Sequence, residues 1–335
     1  LDWEFEEGET LPDLFDPEYK AMIEARAKAV CPQAKDDPLV IGYYYGYGAF
    51  NHSEVWVNHH LSMAPQSPGR EAIVDFIQSR YADNIDDFNA VYGMSLNSFD
   101  DLRTSVELAY DKAFQMANFP EVGDTLDPRQ VADFNAILAY MCVTLYSMAH
   151  TAIRRWDENH LILGSFVKEW ALNGEAWKAA AEYLDLIAPQ HWSSEISINA
   201  LADAAEKPMI VSDDEFGVRY AETPGAMDKA GESHECRSEI YEASLMRHYK
   251  DPQVQGVSYC ACLYDQDGAS LERNIQDGLH DIDGAPRSDL VERITKLNKA
   301  VYQHSAEVAD SDTLRELGLT LKQTWEKYQV INEAE

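Results

Sequence analysis

The sequence predicts an α/β protein with a parallel sheet covered by helices, and three observations carry that expectation. From His160 onward, short apolar runs alternate with longer amphipathic ones across short connections, the pattern of βα units. The apolar runs are too brief for helices and suit buried strands. One of them, Met209-Ile-Val211, leads straight into Asp213, Asp214 and Glu215 before Phe216-Gly217 turns the chain. Acids at the carboxyl end of a buried parallel strand are poorly explained by packing. They are well explained by an active site, because α/β enzymes place their working groups there. The competing explanation is a strand that runs out into a solvated acidic loop.

Taken in order, residues 1–15 read as an irregular acidic lead-in. Asp16-Pro17 opens a helix, with Asp as N-cap and Pro at the first helical position, running to about Val30. Asp36-Asp37-Pro38 breaks the chain. Leu39 to Tyr45 follows as a buried strand, ending in the flexible turn Gly46-Tyr47-Gly48. A helical insert spans about 51–157. In it Ser67-Pro68 and Ser98 cap two helices, and Asp127-Pro128 with Gln130 comes close to a capping box. Behind that cap Val131, Phe134, Leu138, Met141, Leu145 and Met148 form an apolar stripe. Strands are then expected at 161–166, 184–191, the Glu215 segment and 254–263. The helices between and after them fall at 174–183, 196–205, 233–249 and 288–303. Counting the first, there are five strands. The tail, 306–335, reads as a peripheral charged helix.

The formal net charge is -32, from 59 acidic and 27 basic residues. Such a surface repels nucleic acid and anionic membranes, so neither is an expected partner. No run looks long enough to span a membrane. The 18 Tyr and seven Trp suit sugar-ring stacking as well as core filling. Five cysteines without metal spacing argue against both a disulfide scaffold and a cysteine metal site. Adjacent His59 and His60 lack a spaced partner acid, so they do not make a metal site either. No cofactor is expected.

The order of motifs carries a resemblance. Asp37-Pro-Leu-Val-Ile-Gly-Tyr43, Phe88-Asn89, Ser98-Phe99, Asn159-His-Leu-Ile-Leu-Gly164, Tyr183-Leu-Asp-Leu-Ile187, Lys207-Pro to Glu215-Phe-Gly217, and Asp265-Gln266 through Asn274 to Gly278-Leu279 come in sequence. Together they resemble the later part of a clan-A retaining glycoside hydrolase with a (β/α)8 barrel, and are most similar to the β-agarase-like families. The resemblance implies that residues 1–305 are part of such a catalytic domain. The five strands would be the fourth to eighth of a TIM barrel, with the first three upstream of Leu1. The chain would then be a fragment or a partial barrel. Its open sheet edge would leave ladder groups unpaired and invite self-association.

The resemblance further implies cleavage of a β-linked, agar- or galactan-like polysaccharide, with Glu215 as nucleophile. Retaining hydrolysis needs a second carboxyl about 5–5.5 Å away to protonate the leaving oxygen. The family's fourth strand ends in Asn-Glu, whereas Tyr47-Gly48 stands in that register here. Glu54, then Glu169, are the remaining acid/base candidates, each equally readable as a surface acid. Substrate contacts would come from Tyr44, Tyr47, His191, Trp192, Tyr264, Asp265, Gln266 and Asn274. Asp213 would join them by sharing the face of Glu215, while Asp214 points away. Tyr43 and Tyr45 share one strand face and are candidates for the core. The different-class alternative is a non-catalytic carbohydrate-binding protein on a degenerate hydrolase barrel. An extracellular or periplasmic location rests on the resemblance alone.

Overall fold

The computed structural model describes residues 12–47, 53–104, 127–168, 174–190, 205–215, 230–260, 278–281, 283–306, 310, 312–314, 316–317, 319 and 323. The chain divides into two compact units, one formed by residues 1–187 with 201–207 and the other by 188–200 with 208–335.

The first unit opens with α1 (Pro17–Ala34). The Asp16 carboxylate accepts the Glu18 amide at 2.7 Å, and Pro17 occupies the first turn. The helix outlasts its expected end at Val30, because Pro32 sits in the last turn and forfeits only one N–H. The Lys35 and Asp37 amides, bonded to the Cys31 and Ala34 carbonyls, close the chain beyond it. Strand β1 (Gly42–Tyr47) begins three residues later than expected. Asp37 is the reason. Its carboxylate accepts the Leu39 amide at 2.9 Å and its carbonyl accepts the Val40 amide at 3.1 Å. These bonds make an Asx-type turn that keeps residues 38–40 out of the ladder, which the Ile41 carbonyl enters by accepting the Leu161 amide at 3.1 Å.

Four helices follow: α2 (Ser53–Ser62), α3 (Pro68–Arg80), α4 (Ile85–Tyr92) and α5 (Phe99–Thr104). The Asn84 side chain caps α4, and Gly93, in the left-handed region at φ 63°, ends it. The long helix α6 (Pro128–Arg154) starts at the Asp127 cap. Gln130 does not complete a capping box; its amide donates instead to the Val91 carbonyl at 2.8 Å. Phe134, Leu138, Met141 and Leu145 of the expected stripe are buried, joined by Ile137, Cys142, Tyr146 and Ala149. Helix α6 is long and apolar enough to cross a bilayer, contrary to the expectation that no run reaches that length. Half of its most apolar stretch is buried inside the fold, and it carries the buried Asp133. Both are properties of a core helix, each buried side chain contributing about 1.5–3 kcal/mol.

Asp133 binds the insert together. It accepts the hydroxyls of Tyr81 at 2.5 Å and Tyr92 at 2.9 Å and the Arg80 Nε at 2.8 Å, so α3, α4 and α6 converge on one carboxylate. The buried Arg70 does similar work through carbonyls, donating to Leu102 O from Nε and Nη2 and to Met63 O from Nη1.

Strand β2 (Leu161–Lys168) lies parallel to β1, with Gly42 opposite Leu161, Tyr43 opposite Ile162, Tyr44 opposite Gly164 and Tyr47 opposite Phe166. Gly42 has no room for a side chain, since a Cβ there would lie 2.2 Å from the Leu161 carbonyl oxygen. Helix α7 (Gly174–Ala181) buries Trp177 and Ala180. The strand expected at 184–191 shrinks to β3 (Pro189–Gln190). Tyr183 and Leu184 close a turn onto α7, and Asp185 then takes the ladder with its side chain. Its carboxylate accepts the Ile162 amide at 2.7 Å while its own amide donates to the Ile162 carbonyl.

In the second unit β3, β4 (Met209–Glu215) and β5 (Val254–Cys260) run parallel, with Gln190 opposite Ser212 and Glu215 opposite Cys260. Helix α8 (Ala230–Lys250) packs on β5 and on α9 (Ser288–Lys299). Leu290, Ile294 and Leu297 recur along one face of α9 and bury against Tyr241 and Leu245. The helix expected at 288–303 is broken at Ala300, where the amide turns back to the Leu297 carbonyl, and a short α10 (Val301–Ser305) follows. The helix expected at 196–205 and most of the tail lie outside the described residues.

Candidate active site

Every described strand pairing is parallel, so each unit presents the carboxyl ends of its strands on one side. In the second unit Glu215 is the last residue of β4, the position expected from the acid trio. The register explains how it gets there. Between Val211 and Asp214, β4 holds one residue more than β5, which goes from Val257 to Tyr259. The strand therefore bulges around Ser212-Asp213, immediately before Asp214 and Glu215. A bulge of this kind bends the strand and increases its local twist.

The same device recurs in the first unit. Between Tyr44 and Tyr47, β1 holds one residue more than β2, which goes from Gly164 to Phe166. Both strands thus bulge just before the end at which a site residue is expected. In both pairs the opposite shift comes first, in β2 between Ile162 and Gly164 and in β5 between Val254 and Gly256. Gly164, at φ 76°, supplies the left-handed conformation that the β2 shift requires.

Tyr47 ends β1, and Tyr44 is 36% exposed with its phenol pushed up to about 12 by burial. Glu54 falls in the first turn of α2. Asp213 lies within β4. Glu169, His191, Trp192, Tyr264, Asp265, Gln266 and Asn274 lie outside the described residues.

Tyr43 is part of the buried core, and it leads to a cluster that sequence reasoning missed. Its hydroxyl donates to Asp157 Oδ2 at 2.5 Å. The same oxygen takes His160 Nδ1 at 2.7 Å, and Oδ1 accepts the amides of Asn159 at 2.9 Å and His160 at 3.1 Å. Burial alone would raise the Asp157 pKa. The Tyr43 hydroxyl and the His160 and Asn159 amides outweigh it and hold the carboxyl well below its usual range. Burial and that same bond push the Tyr43 phenol up. The available signal was Asp157-Glu-Asn-His160, an Asx turn directly before a strand. This cluster stands at the amino-terminal end of β1 and β2, away from the strand end that carries Tyr47.

His60 is buried, and its Nε2 accepts the Leu14 amide at 3.1 Å, a structural use of the His59-His60 pair. Among the described residues no group of three or more His, Cys, Asp or Glu side chains is arranged to hold a metal ion.

Parallel strands with covering helices, one of them acid-tipped, place the chain in a defined class: it has the α/β fold of the agarase and β-galactosidase enzymes and resembles the β-agarase-like glycoside hydrolases. No protein-family model matches the sequence. β-Agarase B of Vibrio sp. (strain JT0107) is 22% identical over 308 residues, which is 87% of this chain and 30% of that protein. A solved exo-β-agarase structure superposes with a TM-score of 0.68 at 21% identity, covering 88% of this chain and 39% of that one. A β-galactosidase of the haloarchaeon Halorubrum lacusprofundi superposes at 0.53 with 16% identity, covering 84% and 41%. The chain thus spans about a third of the length of the curated relative it matches over most of its own.

Proposed function

We propose that this chain is part of the catalytic region of a glycoside hydrolase that cleaves a β-linked galactan of the agar type, with Glu215 as the nucleophile. One observation carries the reading: Glu215 closes a parallel strand at its carboxyl end, just past a bulge, in a fold shared with agarases. On this reading β1 to β5 are the fourth to eighth strands of a (β/α)8 barrel. Ionised Glu215 attacks the anomeric carbon, and a protonated second carboxyl donates to the departing oxygen. Glu54 is the first candidate for that acid and Glu169 the second. Tyr44, Tyr47, His191, Trp192, Asp213, Tyr264, Asp265, Gln266 and Asn274 would line the sugar subsites, and a polysaccharide substrate implies an extracellular or periplasmic location.

The test is release of reducing ends from agarose and agaro-oligosaccharides. Glu215→Gln keeps the shape and removes the nucleophile, and should lower the rate by about three orders of magnitude or more while circular dichroism is unchanged. Unchanged cleavage overturns the assignment. Glu54→Gln and Glu169→Gln then identify the acid by which of them spares substrates with good leaving groups. A second reading is favoured by one specific observation, Tyr47-Gly48 at the end of β1 where a carboxyl is required. It makes the chain a non-catalytic carbohydrate binder. Binding of agaro-oligosaccharides with no reducing-end release, equal in wild type and Glu215→Gln, selects it.

A further inference from the structure

The cluster below the strands contains a histidine whose two ring nitrogens both meet acceptors. His160 Nδ1 lies 2.7 Å from Asp157 Oδ2, and Nε2 lies 3.2 Å from the Asp37 carbonyl oxygen. A backbone carbonyl can only accept, and an ionised carboxylate can only accept. Asp157 is 2% exposed and already receives a hydroxyl and two amides, so it is held as the carboxylate. Both contacts are hydrogen bonds at once when both imidazole nitrogens donate, which is the imidazolium form. The ring spans a sequence distance of 123 residues and joins the turn before β1 to the turn before β2.

We propose that His160 is a proton-operated latch: as the imidazolium it holds the Asp37 carbonyl and the Asp157 carboxylate together, and as the neutral ring it releases Asp37. The order of release follows from charge. A neutral ring keeps one N–H, and the carboxylate is the stronger acceptor, so Nδ1 retains its proton. Nε2 is left with a lone pair facing the lone pairs of the Asp37 oxygen. The segment freed is the one that exposes Leu39 by 88% and Ile41 by 67%. Once the latch opens, the segment keeps its own turn on Asp37 and the Ile41 carbonyl bond to the Leu161 amide, with little buried surface beside them.

The titratable and charged groups that face the latch come from α1, β1, α6 and the turn itself. From α1, the Cys31 carbonyl faces the Tyr43 hydroxyl at 3.5 Å and its thiol is pushed up by burial. From β1, the Tyr43 phenol is held above its usual range. From α6, Arg154 donates Nη1 to the His160 carbonyl at 2.6 Å and Nη2 to Asp185 Oδ2 at 2.5 Å, so its charge is matched by Asp185. Arg155 faces Glu24 at 3.7 Å. In the turn itself the Asp37 carboxylate is engaged by the Leu39 amide. The Asp157 bond and the Asp37 carbonyl raise the His160 pKa, with partial burial acting against them. The sign follows: a raised folded value means the latch is closed below the ordinary histidine value of about 6.5 and opens as pH rises through the higher folded value.

The experiment is amide hydrogen exchange of residues 36–42 between about pH 6 and pH 9, corrected for intrinsic rates, alongside the His160 Cε1–H resonance. In wild type, exchange at Leu39 to Ile41 should rise roughly tenfold, the worth of one hydrogen bond, with the same midpoint as the ring. His160→Asn places an amide near the Nδ1 position but nothing near Nε2. It should show the fast rate at every pH. Exchange that is flat through the ring titration overturns the latch, as does a ring midpoint that loop exchange does not share. Should His160→Asn fail to fold, coincidence of the two wild-type midpoints decides alone. No sugar cleavage enters the readout, so the result is independent of the proposed hydrolase activity.

Discussion

The Tyr43 hydroxyl donates to the Asp157 carboxylate at 2.5 Å, in a buried contact between residues 114 apart in the chain. It anchors the first strand to the turn that launches the second, and the phenol, unlike His160, donates to this carboxylate without titrating near neutrality. Tyr43→Phe leaves a buried carboxylate with one bond fewer, which should cost about 1.5–3 kcal/mol, the range for hydrogen bonds to charged groups. Urea unfolding monitored by circular dichroism measures it. A loss under half a kilocalorie would mean water replaces the hydroxyl.

Asp157 also sets an acid limb. Its pKa is lowered in the folded chain, so the unfolded chain binds its proton first as pH falls. The stabilisation is fully present above the ordinary carboxyl value of about 3.9 and is lost as pH drops below it toward the lower folded value. Asp157→Asn should therefore be less stable than wild type near neutrality, and the difference should narrow below about pH 4. Thermal melts across that range supply the check.

Gly164 tests the β2 irregularity. At φ 76° a side chain is strained, and a Cβ would lie 2.9 Å from Leu184 Cδ2 and 3.1 Å from Tyr146 Cε1. The leucine methyl can move; the backbone conformation cannot. Gly164→Ala should cost about 1–3 kcal/mol, read as a lowered denaturation midpoint. An unchanged midpoint would show that β2 regularises without penalty.

Asp133 receives three donors from α3 and α4 at a buried site. Asp133→Ala removes the acceptor that these two tyrosine hydroxyls and the partly exposed Arg80 share, so about 1–3 kcal/mol should be lost. The double variant Tyr81→Phe with Asp133→Ala should lose less than the sum of the two single changes, which a double-mutant cycle reads directly.

The exposed Leu39 and Ile41 flank the start of β1, which among the described residues pairs on one side with β2. We propose that copies of the chain meet at this edge, since an exposed, unpaired strand edge invites pairing with another chain. Ile41→Lys should shift the chain toward monomer in light scattering at fixed salt. If the oligomeric state is the same in both proteins, the β1 edge is not where copies meet.

Local physics made much of this chain legible in advance. The caps at Asp16-Pro17 and Asp127-Pro128, the stripe from Phe134 to Leu145, the βα alternation after His160 and the acid-tipped strand ending at Glu215 all depend on neighbours within a few residues. Those neighbours are written side by side in the sequence. Tertiary structure alone decided the rest. Asp185 lent its carboxylate to the β2 ladder and so cut a predicted strand to two residues. Paired register shifts placed a bulge before Glu215 and another before Tyr47. His160 met Asp37, and Tyr43 met Asp157. A partner for Glu215 was not legible for the same reason. Strand position follows from local pattern, but which carboxyl comes within reach of it is set by loops and by pairings between residues far apart in the chain.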